Sequence, residues 1–277
     1  MKRATFSTLA GALALTVASA AVHAESPFAT RAAWTSYRSA ADGLEIPALS
    51  LRPAGGGGDV PLVLFVHGRW GLAPEVVAQL ERLAERGVEV FAPDYYFARA
   101  VPALPWFNDP DLGLDVQSAI PHLRKQTQRR IALVAQDHGG FYAIQAAARF
   151  PEAVGALVGI YPLTNDPQQP KPRHLYAYAA DVDKVKVPTL FLIGGEDREM
   201  RRIAAKRVVE RLQSLRQDAT YVEYPGATRC YDWKIDPGRI ADAMARADSL
   251  NQVVRFLKQT NGGSRLLVLE PSGWRTI

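Results

Sequence analysis

Apolar residues recur along this chain in two rhythms. Short continuous runs at residues 61–66 (PLVLFV), 88–92 (VEVFA), 131–135 (IALVA), 154–160 (VGALVGI), 187–193 (VPTLFLI) and 219–224 (ATYVEY) have the length and β-branched content of strands buried on both faces. Between them, segments 74–86, 111–125, 139–150, 199–215 and 236–257 space apolar residues three and four apart, as Val76, Leu80, Leu83 and Ala84 do, and this predicts amphipathic helices. Strand and helix alternate, so the pattern predicts an α/β fold with a mostly parallel central sheet flanked by helices. Segments 32–38 and 44–51 flank the turn pair Asp42-Gly43 and predict an antiparallel N-terminal hairpin on the sheet edge. The glycines at 55–58 read as a flexible link. Stretches 96–111 and 161–183 break the repeat and are expected to be functional loops or small lids. Residues 262–277 carry no pattern that places them.

The first residues have a different logic. Lys2 and Arg3 precede the run LAGALALTVASAAV and a small-residue site ending at Ala24, the layout of a secretory signal peptide. The run is too short for a stable membrane anchor. The expected product is one domain over residues 25–277, periplasmic or secreted. Its single cysteine, Cys230, allows no internal disulfide, so the core alone must stabilise it. Net charge is +5, and +3 once Lys2 and Arg3 are set aside, with no run of like charges, which excludes an electrostatic nucleic-acid binder. The histidines and carboxylates lack metal-ligand spacing. The expected partner is a small molecule, with no cofactor; oligomeric state is left open.

Three segments carry candidate chemistry. In residues 131–140, IALVAQDHGG, a strand meets a helix through a turn with Ala135 two before Asp137 and Gly139 two after it. This small-x-nucleophile-x-small spacing is that of a nucleophile elbow, a turn so tight that larger side chains cannot flank it. Asp137 is thereby set at a helix N-terminus, where backbone N–H groups favour negative charge. Aspartate also caps helices well, but capping makes no demand for small neighbours. In residues 66–72, VHGRWGL, a glycine loop follows a strand, so backbone donors around Gly68, Arg69 and His138 are expected to form an oxyanion site, with His67 as an orienting residue. In residues 190–197, LFLIGGED, a strand ends in a loop carboxylate, and Asp197 rather than Glu196 is expected to be the acid; a surface turn is the bland alternative.

The motifs HGRWGL, APDYY and YPGAT, in that order across residues 61 to 257, resemble the α/β-hydrolase superfamily and within it the dienelactone hydrolase family. The resemblance implies an α/β-hydrolase fold and cofactor-free hydrolysis of esters or lactones by a nucleophile, a histidine and an acid. Two positions depart from that family. Its elbow cysteine is here Asp137, the residue type that haloalkane dehalogenases and epoxide hydrolases of the superfamily use. A carboxylate attacking an ester forms an anhydride, whereas displacement at an sp3 carbon forms an ester that water can cleave, so Asp137 favours the second chemistry. The residue after YPGAT, where the family has its histidine, is Arg229, which stays protonated and cannot act as a base. His138, His122 and His174 are more readily packing or surface residues than replacements, and Cys230 a buried hydrophobe than a nucleophile. Arg229 is expected to pair with Asp137 or Asp197, or to receive an anion. The sequence thus points to a hydrolase using Asp137 and Asp197. The alternatives are a degenerate hydrolase that binds a small anion, and a dehalogenase or epoxide hydrolase.

Overall fold

A computed structural model describes residues 30–54, 60–103, 110–165, 176–232, 236–261 and 275–276. The expected leader at 1–24, the glycine link at 55–58 and His174 lie outside the described residues. The predicted hairpin is β1 (Thr30–Arg38) and β2 (Glu45–Pro53), paired antiparallel from Thr30↔Pro53 to Arg38↔Glu45. The chain then runs β3 (Leu62–Val66), α1 (Pro74–Ala84), β4 (Glu89–Pro93), α2 (Tyr95–Ala98), α3 (Pro110–Arg124), β5 (Ile131–Gln136), α4 (Gly139–Arg149) and β6 (Val154–Ile160). A 3-10 turn (Ala180–Lys184), β7 (Thr189–Gly194), α5 (Glu199–Ser214), β8 (Ala219–Tyr224), α6 (Ile240–Asn261) and β9 (Arg275–Thr276) complete it.

Among the described residues the strands form one sheet in the order β1-β2-β4-β3-β5-β6-β7-β8-β9. From β4 to β8 neighbours are parallel; the hairpin joins antiparallel at one edge, and β9 at the other. Every residue of β3, β5 and β7 is buried, as continuous apolar runs require of strands covered on both faces. The order reverses at β3, which sits between β4 and β5, so the carboxyl ends of β3 and β5 lie side by side while their following loops diverge. A crevice at such a reversal is where ligands enter open α/β sheets.

The structure departs from expectation at particular segments. Residues 96–111 are not wholly loop: Asp94 accepts a hydrogen bond from the Phe97 N–H at 3.2 Å and caps the short helix α2. Helix α6 starts at Ile240 rather than 236, because Asp236 instead closes a turn, accepting from the N–H of Gly238 at 2.9 Å and of Arg239 at 3.0 Å. Residues 275–276 of the unplaced tail pair with β8. Among the described residues no helix is long and apolar enough to cross a membrane.

Candidate active site

The end of β5 forms the predicted elbow. Asp137 has φ +45°, a region costly for any residue with a side chain, and the surrounding backbone holds it there. Its N–H donates to the Ile160 carbonyl at 3.2 Å, and its carbonyl accepts from Gly140 at 3.1 Å and Leu163 at 2.6 Å. The small neighbours are obligatory: a Cβ on Gly139 would stand 2.2 Å from the Val66 carbonyl oxygen, and one on Gly68 would stand 2.7 Å from Cβ of Asp137. The two glycine-bearing loops therefore meet at contact distance.

Asp137 is buried, and both its carboxylate oxygens are occupied. Oδ2 accepts from Nε of Arg69 at 2.8 Å, and Oδ1 from Nη2 of Arg201 at 2.5 Å. Arg201 is itself buried and donates through Nη1 to the Tyr161 carbonyl at 3.1 Å. Burial by itself raises the pKa of this carboxyl, but Arg201 first, then His138, Arg69 and Arg229, outweigh it and hold the group well below the usual range. Asp137 is thus a fixed, ionised carboxylate whose lone pairs point at guanidinium groups. Sequence reasoning did not single out Arg201, although a signal was available. In α5 it lies on the same face as Ala204, Ala205, Val208 and Leu212, so a charged residue stands in an apolar stripe.

His138, the first residue past the elbow, turns its ring toward the site, with Nε2 2.7 Å from Nη2 of Arg69. Burial is the main reason its pKa falls to about 4, against the opposing charge of Asp137. The ring is therefore neutral at pH 7, and Nε2 accepts from Arg69. The proton is then on Nδ1, which is buried without a partner.

Asp197 stands just past β7, buried, with Oδ1 accepting from the Arg198 N–H at 2.7 Å and Oδ2 unpartnered. Burial raises its pKa, with Arg201 opposing most. Arg229 does lie in the loop after β8, but the expected pairing with Asp137 or Asp197 is not what forms. Arg69 and Arg201 already fill both oxygens of Asp137, and Nη1 of Arg229 is left buried without a hydrogen-bond partner. Its charge still acts on both carboxylates.

The other histidines among the described residues, His67 and His122, are elsewhere or inert. His67 is fully buried and stacked on Tyr95 at 3.7 Å between ring centres, with Nδ1 2.9 Å from the Gly68 carbonyl oxygen; burial pushes its pKa down to about 3. It orients the loop, as expected, and is no base. His122, in the last turn of α3, packs against Tyr37 and Phe91. Tyr96, the last residue of the APDYY motif, lies near the elbow: burial and then the charge of Asp137 push its phenol well up. Among the described residues no group of histidine, cysteine or carboxylate side chains is arranged to hold a metal ion.

Arg69, Arg201 and Arg229 against Asp137 and Asp197 leave a surplus of positive charge around the elbow. The strained turn at Asp137 and the guanidiniums that hold its carboxylate define the candidate site. Comparison with known proteins agrees on the frame. A Salmonella typhimurium protein named "Putative carboxymethylenebutenolidase" is 25% identical over 235 residues, covering 79% of this chain and 85% of that one. A solved Klebsiella pneumoniae structure described as a "Putative Dienelactone Hydrolase" has a TM-score of 0.66 at 21% identity, over 83% of this chain and 99% of that one. Brefeldin A esterase superposes with a TM-score of 0.69 at 15% identity, over 91% of this chain and 81% of that one. These structural likenesses carry the α/β-hydrolase fold. The sequence model of the dienelactone hydrolase family matches residues 46–261, most of the chain and both loops of the site, so this chain belongs to the dienelactone hydrolase family, a family of hydrolases.

Proposed function

We propose that this chain is a hydrolase for a small ester, lactone or related substrate that itself carries a negative charge. The observation that carries the reading is the buried, unpaired end of Arg229 beside the clamped carboxylate of Asp137. A substrate anion supplies the partner that Nη1 of Arg229 lacks. It also competes with Asp137 for Arg69, the more exposed of the two clamping arginines, while Arg201 keeps Oδ1 in place. Oδ2, once released, can displace the leaving oxygen from an sp3 carbon, giving an ester of Asp137. Water then cleaves that ester, restoring the carboxylate and sending its protons to the product hydroxyl and to solvent. The backbone donors of Arg69 and His138 face the charge that develops.

The test compares a small anionic ester or lactone with its neutral methyl ester. A charge-assisted hydrogen bond contributes about 1.5–3 kcal/mol, so wild type is expected to favour the anion by roughly 10- to 100-fold in kcat/KM, and Arg229→Ala to lose that preference. Equal rates on both, or a preference unchanged in Arg229→Ala, sinks the proposal. The second reading, a pocket that binds a small anion without turnover, draws on the missing histidine at position 229. It predicts calorimetric binding of small carboxylates that disappears in Arg229→Ala, with no product from any substrate.

A further inference from the structure

Helix α3 covers only part of the N-terminal hairpin. Its middle lies over one end of β1, where the Tyr37 hydroxyl donates to the Asp115 carbonyl at 2.8 Å, but the helix stops at Arg124. Beyond that point the same face of β1 and β2 carries the small side chains Thr35, Ala33 and Ser50. With Leu62, Phe91 and Leu123 they line a hollow of about 400 Å³. Arginines stand around it. Arg31 and Arg52 are paired directly across the two strands, so both side chains leave the sheet on this face, where like charges repel. Glu89, at the start of β4, accepts from Nε of Arg52 at 2.9 Å on one oxygen and pairs with Arg129 through the other. Arg129 is fixed further by the Val60 carbonyl, 3.0 Å from Nη1, and by the Thr127 hydroxyl, 3.2 Å from Nε. Among the described residues Arg31 forms no ion pair.

Charge, room and surface together select a ligand class. Three guanidiniums against the one carboxylate of Glu89 leave two positive charges in the lining. A phosphate monoester carries nearly two negative charges at neutral pH, on three oxygens that one facing pair of arginines can share. A single carboxylate would leave one charge unmet. Phe91, Leu62 and Leu123 offer an apolar floor that bare phosphate would not use, and the volume falls within the roughly 300–1,000 Å³ of small-molecule sites. We propose that the hollow past the end of α3 is a binding site for a small organic phosphate monoester, its phosphoryl group held between Arg31 and Arg52 and its apolar body against Phe91 and Leu123. The site is remote from the elbow. Leu62 and Glu89 are the first residues of β3 and β4, whereas Asp137 follows the carboxyl end of the parallel strand β5, at the opposite end of the sheet.

The probe is 4-bromophenyl phosphate on the full chain. In crystals soaked with it, the bromine anomalous signal is expected in the hollow beside Phe91 and Leu123. Signal at the elbow alone, or nowhere at saturating concentration, overturns the proposal. In solution, calorimetric titration is done on Arg229→Ala protein, where the anion contact proposed at the elbow is absent. Adding Arg31→Gln or Arg52→Gln is expected to weaken binding at least tenfold, and Ala33→Trp, which puts an indole into the hollow, to abolish it. Unchanged affinity in all three overturns the proposal. Two further ligands divide the probe into its parts: 4-bromophenol keeps the body without the charge, and inorganic phosphate keeps the charge without the body. Each is expected to bind at least tenfold more weakly than the probe, and equal affinity for either overturns the assignment. So does equal affinity for 5-bromoisophthalate, which carries its two charges on separate carboxylates. Arg31, Ala33 and Arg52 are all exposed, so the variants are expected to fold. The soak of wild-type protein decides the matter if they do not.

Discussion

Two buried carboxylates lie on either side of the end of β5, and the protein treats them oppositely. Asp137 is gripped by the guanidiniums of Arg69 and Arg201 and held ionised, its pKa far below the usual range. Asp232, equally buried, is held by a phenol and an amide, and burial pushes its pKa up to about 6. Depth alone predicts the same shift for both. The difference is the charge of the donors: a cation offsets the loss of water around an anion, whereas neutral dipoles offset only part of it. Tyr161 joins the two, its carbonyl accepting from Arg201 and its hydroxyl donating to Asp232. One carboxylate is held so as to keep its charge, and the other is near losing one.

The largest expected effect comes from removing the deeper clamp. Arg201→Met leaves Asp137 buried with its Oδ1 unpaired, a change that costs about 3–5 kcal/mol for broken buried pairs. In a chain of this size the melting temperature should fall by roughly 10 °C at pH 7, measured by circular dichroism. Arg201→Lys, which keeps the charge but not the second bond to Tyr161, should recover part of the loss. A fall of under ~2 °C in Arg201→Met would mean that Arg201 does not hold the Asp137 side, and the contrast with Asp232 would lose its cause.

Much of this frame was legible in the residues, and the reason is steric. Gly139 and Gly68 mark the elbow because a Cβ on either would stand under 3 Å from a neighbouring atom, the Val66 carbonyl oxygen at 2.2 Å and Cβ of Asp137 at 2.7 Å. The parallel strands announced themselves as unbroken apolar runs, and the order of motifs placed Asp197 and Arg229 at loop ends. What could not be read was pairing across long sequence separations. Arg201 reaches Asp137 from 64 positions away, and Asp232 meets Gln136 from 96. Charge alone suggested Arg229 as the partner of Asp137, but distance along the chain says nothing about which of several arginines arrives. Asp232 was invisible for the same reason, since nothing local marks a carboxylate as buried beneath a sheet.

A smaller effect tests the Asp232 side through pH. A carboxyl with a folded pKa near 6 against an unfolded value near 3.8 binds more protons when folded. It follows that its stabilising contribution is complete below about pH 4 and is lost as pH rises through 6. The shift corresponds to about 2–3 kcal/mol between those limits. In Asp232→Asn, whose amide can still accept from Gln136, urea unfolding should show that loss removed: relative to wild type the variant gains stability steadily from pH 4 to pH 7.5. Asp137→Asn should show no such slope over that interval, because Asp137 is ionised in both the folded and unfolded chain there. Parallel pH profiles for wild type and Asp232→Asn would place Asp232 in the same class as Asp137.

The smallest expected change is at Arg69, and it is the one closest to function. Its side chain is 21% exposed, so the ion pair with Asp137 is partly screened and its loss in Arg69→Ala should cost only about 1 kcal/mol. The informative readout is the neighbouring ring. His138 is kept neutral by burial, and the charges of Arg69, Arg201 and Arg229 each depress its pKa further from Asp137's opposing pull. Deleting Arg69 removes one of those charges and the donor on Nε2, so an NMR titration of the imidazole should show the pKa rising from about 4 toward its ordinary range. An unmoved pKa would mean that Arg69 does not face the elbow in solution, and it could not then be the latch that an anionic substrate releases. A rise accompanied by intact folding would show that the cationic side can be loosened at one point without collapse. Asp232 has no equivalent, because its two hydrogen-bond donors, the Tyr161 hydroxyl and the Gln136 amide, are both buried.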